Sequence, residues 1–242
     1  MIRHLKSVLS LMDIGIYRIS KNQSFFPGFV DHTKNFDSHI DPTIHNSVEF
    51  LDENVTLDGI NAYLENRHEF YQRIINYCVQ RNVILDKVSV LDAGCSGSSL
   101  LQKIREQYEP TEVTGFDFSA TTLKVSKQIY PNINYKKFDL VKDVPNQSFD
   151  LVFCTQVLEH ILQPEIALRN LILMTKSSGK LLLTVPNGRT DSYRGHINFW
   201  SPESFEYFIR SNTQRNCKNY QFDDGEIGLS CLLSMSDKPL SL

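Results

Sequence analysis

The sequence has no long block of lysines and arginines, no C-x-x-C spacing and no apolar run long enough to cross a membrane. Its formal net charge of −3 provides no basic surface for nucleic acid. The five cysteines are odd in number and irregularly spaced, which disfavours a disulfide framework or a zinc module. The opening segment, MIRHLKSVLSLMDIG, has an apolar run too short for a signal sequence. These absences predict a cytoplasmic protein that does not bind nucleic acid and does not insert into a membrane.

From residue 88 onward, short apolar segments alternate with segments of helical spacing. Helices are predicted around Leu100–Tyr108, after the cap Ser119, and from Pro164 to Gly179. Strands that alternate with helices indicate parallel β-α-β units in a doubly wound sheet. The predicted strands are Val88–Leu91, Val113–Phe116, Asn134–Phe138, Leu151–Cys154 and Lys180–Val185.

The end of the chain has a different pattern. Ser201-Pro202-Glu203 is a strong helix start, because it combines a capping hydroxyl, a proline at the first helical position and an acid in the first turn. Tyr220–Phe222, the turn Asp223–Gly225 and Ile227–Met235 then predict a closing hairpin. Together these elements predict an α/β fold with a mostly parallel, Rossmann-like seven-stranded sheet, a C-terminal antiparallel hairpin and an N-terminal extension.

Residues 1–82 form the predicted extension, and residues 83–242 form the predicted main domain. Residues 1–50 are polar, aromatic-rich and aperiodic, and their scattered histidines and acids fit no metal-ligand spacing. We expect them to cover a binding site, with a disordered or merely packed extension as the alternative. Arg67–Arg81 is predicted to be helical, with Phe70, Ile74, Tyr77 and Cys78 on its buried face.

A turn of small residues follows the first predicted strand in VLDAGCSGSS. Small residues at the carboxyl end of a parallel strand allow a ligand to approach the backbone closely. The turn is not a dinucleotide fingerprint, because Ser96 and Ser99 occupy positions that require glycine, and no P-loop lysine follows. Asp92 would repel a pyrophosphate but suits a cationic ligand. Taken alone, Asp92 could equally be an acid that caps a helix.

Two further acids, Asp117 and Asp139, end the next two predicted strands. A carboxylate at the first position can accept ribose hydroxyls, and one at the second can accept an exocyclic amine. In this order, VLDAGCSGSS, GFDFS, FDL, FDLVFCTQVLEHI and GKLLLTVPN resemble the class I S-adenosylmethionine-dependent methyltransferases. The sequence is most similar to the group with ubiquinone-pathway and sugar O-methyltransferases, over roughly residues 85 to 236.

The resemblance implies S-adenosylmethionine as cofactor and a small-molecule methyl acceptor, with oxygen favoured as the nucleophile. It assigns the turn to the methionine half of the cofactor, Asp117 to the ribose, and Thr155 and Gln156 to the surroundings of the sulfonium. Ser96 and Ser98 stand where the family usually has glycine, so their side chains are expected to narrow the pocket. The implied cofactor residues are Asp92, Gly94, Cys95, Ser96, Asp117, Phe118, Asp139, Leu140, Thr155, Gln156 and, for the carboxylate, Arg67.

An oxygen nucleophile often requires a general base, typically histidine. His196, in RGHINFW, is placed slightly ahead of His160, in LEHI, for this role. No metal-ligand cluster is expected beside them. Two other functions stay open: a non-catalytic cofactor-binding partner or scaffold, and an NAD(P)-dependent reductase. The reductase is disfavoured by the broken glycine pattern and because residues 83–242 contain no Tyr-x-x-x-Lys dyad.

Overall fold

The computed structural model describes residues 41–213 and 216–236. Its helices are α1 (Pro42–His45), α2 (Val48–Asn54), α3 (Leu57–Gln80), α4 (Ser99–Gln107), α5 (Ala120–Ile129), α6 (Pro164–Leu173) and α7 (Pro202–Thr213). Its strands are β1 (Ser89–Ala93), β2 (Glu112–Asp117), β3 (Asn134–Lys137), β4 (Phe149–Thr155), β5 (Thr175–Val185), β6 (Cys217–Gly225) and β7 (Gly228–Met235). A short 3₁₀ turn, Leu158–His160, follows β4.

The seven strands form one sheet in the order β3-β2-β1-β4-β5-β7-β6. The pairs from β3 to β5 are parallel, whereas β7 runs antiparallel to both β5 and β6. This confirms the predicted doubly wound sheet and its C-terminal hairpin. The strand order reverses between β1 and β4, and in open sheets of this kind ligands bind in the crevice beyond the carboxyl ends of the strands at that point.

Both faces of the central strands are buried. Along β4, Leu151 and Phe153 pack in one apolar cluster, whereas Val152 and Cys154 pack in the other. This alternation follows from the two-residue period of a strand, and burial on both sides explains the nearly continuous apolar runs in the sequence. Helix α3 contributes to the first cluster through the predicted positions Phe70, Ile74, Tyr77 and Cys78.

The predicted end of the third helix at Gly179 is wrong. Helix α6 ends at Leu173, and β5 begins at Thr175, which pairs with Phe149. The pairing between β4 and β5 is irregular at this point, and Gly179 lies inside the strand. A Cβ on Gly179 would lie 2.8 Å from the carbonyl oxygen of Lys176, so glycine here permits a close approach of two backbone segments.

The predicted hairpin turn at Asp223–Gly225 is also wrong, by about two residues. These residues belong to β6, and the turn consists of Glu226 and Ile227. Gly228 follows the turn with φ of +82°, and a Cβ there would lie 2.5 Å from the carbonyl oxygen of Val185. The residue with the special backbone conformation is therefore Gly228 rather than Gly225.

Residues 41–50 are more regular than predicted, because α1 and the first three residues of α2 lie there. Helices of four and seven residues are too short to show a hydrophobic period, but their caps are visible. The side chain of Asp41 accepts from the backbone N–H of Thr43, and that of Ser47 accepts from Phe50. The expectations for residues 1–40 lie outside the described residues. Among the described helices, none combines the length and apolarity that a membrane span requires.

Candidate active site

A cavity of about 650 Å³ opens at the carboxyl ends of β1, β2 and β4. Its floor comes from the turns that follow these strands and β3, and one wall comes from the connection between β5 and α7. Residues of α1, α2 and α3 complete the lining. The predicted residues that line the cavity are Gly94, Ser96, Asp117, Phe118, Asp139, Leu140, Thr155, Gln156, Arg67, His160 and His196.

The turn after β1 brings its backbone close to the turn that follows β4. Gly94 has φ of +79°, and a Cβ there would lie 2.5 Å from Cγ2 of Val157. Ser96 and Ser98 both adopt positive φ, at 50° and 61°. Ser96 lines the cavity, whereas the Oγ atom of Ser98 lies towards Gly115 of β2. Of the two serines that replace glycine, Ser96 is therefore the one whose side chain can narrow the cavity.

Two buried acids lie beneath and beside this turn. Asp92 is 2% exposed and does not itself line the cavity; its Oδ1 atom is buried without a hydrogen bond among the described residues. Burial raises the pKa of Asp92 to about 7, and the nearby carboxylate of Asp117 acts in the same direction. Asp117 accepts hydrogen bonds from the backbone N–H groups of Ser96 and Ser119, at 3.1 and 3.0 Å. Burial nevertheless raises its pKa to about 6. The carboxyl groups of Asp92 and Asp117 can therefore still accept hydrogen bonds or pair with a positive charge.

The other predicted cofactor residues differ in how firmly they are held. Asp139 accepts from the backbone N–H groups of Val141 and Lys142, so its own turn orients the carboxylate. Gln156 has φ of 57°, and its side chain donates to Thr184 Oγ1. Cys95 is 1% exposed and lies beneath the cavity rather than in its wall.

Arg67 enters the cavity from α3. Its guanidinium lies 5.0 Å from the ring centroid of Phe70 and 5.6 Å from that of Tyr63. Its Nε atom is buried and has no hydrogen-bond partner within the described part of the chain. The guanidinium is therefore positioned by aromatic packing and keeps donor capacity for an anionic group.

The connection between β5 and α7 folds back onto the 3₁₀ turn. The carbonyl oxygen of Glu159 accepts from the backbone N–H groups of Ile197 and Asn198, at 2.8 and 3.0 Å. These bonds bring the two predicted histidines together, with 4.7 Å between the ring centroids of His160 and His196. His196 is also paired through Nδ1 with the carboxylate of Asp191, at 2.5 Å.

Burial sets the charge states around the two histidines. It lowers the pKa of His160 to about 3, and His196 acts in the same direction. It also lowers the pKa of His196, although the bond to Asp191 opposes that shift. Glu159 is 1% exposed, neither carboxylate oxygen has a hydrogen-bond partner among the described residues, and burial raises its pKa to about 8. His160 is therefore neutral at physiological pH.

The expectation that no ligand cluster accompanies the histidines overlooked Glu159. One ligand atom from each of Glu159, His160 and His196 lies within 4.8 Å of the others. Asp191, one of the polar residues of the connection between β5 and α7, adds to this cluster as the partner of His196. The motif LEHI did contain a signal, since it places an acid directly beside the histidine.

Helices α1 and α2 are tied to both ends of the cavity. The side chain of Asn46 donates to the carbonyl oxygen of Gly195, at 2.8 Å, beside the two histidines. Asp52 accepts from the Ser119 hydroxyl and the Thr121 N–H at the start of α5, beside Asp117. Residues of this segment, including His45 and Ser47, line the cavity.

Residues 63–224 match the family described as Methyltransferase domain. The chain belongs to this methyltransferase family. It is a class I methyltransferase, and the cofactor of this class is S-adenosylmethionine. This confirms the family predicted from the strand-end motifs. It also removes the reductase alternative.

Known proteins similar to this methyltransferase agree with that assignment. The ubiquinone biosynthesis O-methyltransferase of Coxiella burnetii is 32% identical over 122 residues, which cover 48% of this chain and 50% of that protein. The chain thus spans about half the length of this curated relative.

Two solved structures are similar in fold. A putative S-adenosyl-L-methionine-dependent methyltransferase from Methanococcus maripaludis aligns with a TM-score of 0.58 at 17% identity, covering 76% of this chain and 95% of that one. The magnesium protoporphyrin IX methyltransferase of Synechocystis PCC 6803, solved with bound S-adenosylhomocysteine, aligns with a TM-score of 0.54 at 17% identity, covering 83% and 100%.

Proposed function

We propose that this methyltransferase transfers a methyl group from S-adenosylmethionine to a hydroxyl group of a small molecule. One observation carries the proposal: the acid-bearing turns after β1 and β2 and the histidine cluster line a single cavity. One end of that cavity suits the cofactor, and the other offers groups that bind and deprotonate a hydroxyl.

The cofactor end fits a nucleoside that carries a positive charge. Gly94 lets the backbone approach closely, and the buried charge of Asp92 favours a cationic group nearby. Asp117 faces the cavity and has lone pairs left for ribose hydroxyls beyond its two backbone bonds. We assign Phe118, Asp139 and Leu140 to the adenine, and Arg67 to the methionine carboxylate. Ser96 and Cys95 shape the turn, and Thr155 and Gln156 border the reacting methyl group.

The protein has little covalent chemistry to perform. Bound S-adenosylmethionine supplies an activated methyl group, so that the acceptor oxygen gains a methyl, S-adenosylhomocysteine leaves and the hydroxyl proton is released. The residues of the chain must align the hydroxyl with that methyl group and exclude water. We assign the second task to α1 and α2, because Asn46 and Asp52 tie them across the two ends of the cavity. The predicted cover was residues 1–50, and this proposal applies to residues 41–50, the part of it that the structure describes.

The acceptor end has His196 as its leading residue. Asp191 holds Nδ1 of that ring, which leaves Nε2 to contact the acceptor hydroxyl and take its proton. His160, kept neutral by burial, adds a second imidazole beside it. Oxygen is the favoured nucleophile because of these groups and because the relative from Coxiella burnetii is named as an O-methyltransferase.

Transfer of labelled methyl from S-adenosylmethionine to a panel of small hydroxylated acceptors tests this function. Phenols, sugars and amines of similar size should be compared, since the proposal expects product only from hydroxylated compounds. Tight binding of S-adenosylhomocysteine without turnover on any acceptor would favour a non-catalytic partner or scaffold. Product formed only from amines would contradict the choice of oxygen.

Asp117→Ala is expected to weaken S-adenosylhomocysteine binding by about 10- to 150-fold, measured by calorimetry. The reason is the loss of charged hydrogen bonds to the ribose, worth about 1.5–3 kcal/mol. Asp139→Ala should cost less, because it removes contact with one neutral amine. Asp58→Ala, an exposed aspartate at the start of α3, is the matched control. Unchanged affinity in a folded Asp117→Ala protein would overturn the assignment of the cofactor end.

A further inference from the structure

Glu159, His160 and His196 are three metal-ligating side chains that converge within the cavity. One ligand atom from each lies within 4.8 Å of the others, and all three line the cavity wall. We propose that these residues bind a divalent transition-metal cation, of the zinc or manganese kind, at the acceptor end of the site. The inference rests on the proposed function and refines the role of His196 within it.

Unused ligand atoms are the first argument. Both carboxylate oxygens of Glu159 and the Nδ1 atom of His160 are buried and have no hydrogen bond among the described residues. A carboxylate is almost never buried without a partner, because removing it from water is costly unless a cation or donors compensate. Glu159 is 1% exposed, its carboxyl group lies beside the imidazoles of His160 and His196, and the positive charge of Arg67 acts on it through space. A cation held by one ligand atom from each side chain would give Glu159 and His160 a partner that the described residues do not supply.

The outer partners of the two imidazoles are the second argument. Metal-ligating histidines usually donate their other ring N–H to a carboxylate or a backbone carbonyl, which fixes the tautomer and the ring orientation. Asp191 holds Nδ1 of His196 and leaves Nε2 free for a cation. His160 hydrogen-bonds to the backbone of Gly195, and its Nδ1 is the unused atom. Each imidazole is thus oriented from behind, with its other nitrogen left to the cluster.

The ligand set indicates the type of cation. Two imidazoles and one carboxylate suit Zn²⁺, Mn²⁺ or Fe²⁺, whereas Mg²⁺ and Ca²⁺ prefer oxygen ligands. Three protein ligands also leave coordination positions open, as in catalytic rather than structural zinc sites. An acceptor hydroxyl bound at an open position would lose its proton more easily, because the cation stabilises the resulting oxyanion. His196 would then act on the acceptor through the cation.

Calorimetric titration of the chelator-treated full chain with Zn²⁺ and with Mn²⁺, in the absence of cofactor, tests the site. We expect one cation to bind per chain. Glu159→Gln and His196→Gln should each lower the affinity by at least about 100-fold, and Asp191→Asn by about 10- to 100-fold. His68→Gln changes an exposed histidine and Glu206→Gln a half-buried glutamate, both outside the cavity, and both should leave the affinity unchanged.

Thermal unfolding and S-adenosylhomocysteine binding establish that each variant is folded. If Glu159→Gln does not fold, His160→Gln takes its place. The inference is overturned if neither cation binds saturably, or if binding persists in the folded ligand variants, which would point to the cysteines. Full turnover by chelator-treated enzyme would also overturn it while leaving the proposed function intact. Stoichiometric binding that depends on Glu159, with no turnover on any acceptor, would support the site and contradict the proposed function.

Discussion

His196→Gln is expected to lower kcat by about 10²-fold or more while leaving S-adenosylhomocysteine affinity unchanged. The imidazole lies at the acceptor end of the cavity, where Asp191 holds its Nδ1 atom at 2.5 Å. Glutamine keeps a polar side chain of similar reach but cannot take a proton. The loss is expected whether His196 contacts the hydroxyl directly or through a cation. Steady-state kinetics on the preferred acceptor and calorimetry with S-adenosylhomocysteine measure the two quantities separately.

His68→Gln is the control for this experiment, because that ring is exposed on α3 and interacts with Lys103 outside the cavity. Near-normal turnover in His196→Gln, together with an inactive His160→Gln, would exchange the roles of the two histidines. If both variants turn over normally, the acceptor needs neither imidazole, and alignment with the methyl group is sufficient.

The sheet could be predicted from the sequence because its central strands are buried on both faces. Every residue of β1 is buried, as are six of the seven residues of β4, so both strands read as short apolar runs bounded by turn residues. The errors at Gly179 and at Asp223–Gly225 have a common cause. Both positions combine glycine with polar residues, which usually marks an end or a turn. At Asp223–Gly225 the pairing with β7 continues instead, and at Gly179 the strand continues through an irregularity between the paired residues Thr175 and Lys180.

The cofactor end of the site could also be predicted, since the carboxyl ends of parallel strands lie at one edge of the sheet. That rule places Asp117 and Asp139 in the cavity wall. The same rule does not distinguish residues that face the cavity from residues beneath it. Asp92 and Cys95 lie beneath it.

The acceptor end depends on contacts that no local pattern reveals. The pairing of His196 with Glu159 and His160 requires the connection after β5 to fold back through backbone bonds to the Glu159 carbonyl. The contribution of α1 and α2 requires the long-range bond from Asn46 to Gly195. A sequence can show that such a connection is long and polar, but its path is set by tertiary contacts of this kind.

The second large effect concerns stability and pH. Burial raises the pKa of Asp92 to about 7 from an ordinary value of 3.8, so between these values the folded protein keeps a proton that the unfolded chain releases. Stability from this group is therefore fully present below pH 3.8 and is lost as the pH rises through about 7. The difference corresponds to about 4 kcal/mol in the free energy of unfolding. Asp117, whose pKa is raised to about 6, acts in the same direction.

Asp92→Asn is expected to remove the part of the pH dependence of stability that Asp92 causes, because asparagine stays neutral at every pH. Relative to wild type, the variant should gain up to about 4 kcal/mol of unfolding free energy between pH 4 and pH 8, without cofactor. Urea unfolding at several pH values measures this change, with Asp58→Asn as the exposed control. Asp150 does not contribute between pH 4 and pH 8. Partial burial raises its pKa, but hydrogen bonds from Ser89 and Lys176 outweigh this and lower the pKa to about 2. Its stabilising contribution is lost only below about pH 4. An Asp92→Asn protein with the pH profile of wild type would show that Asp92 is ionised at neutral pH in the folded chain, and that its buried carboxylate has a partner.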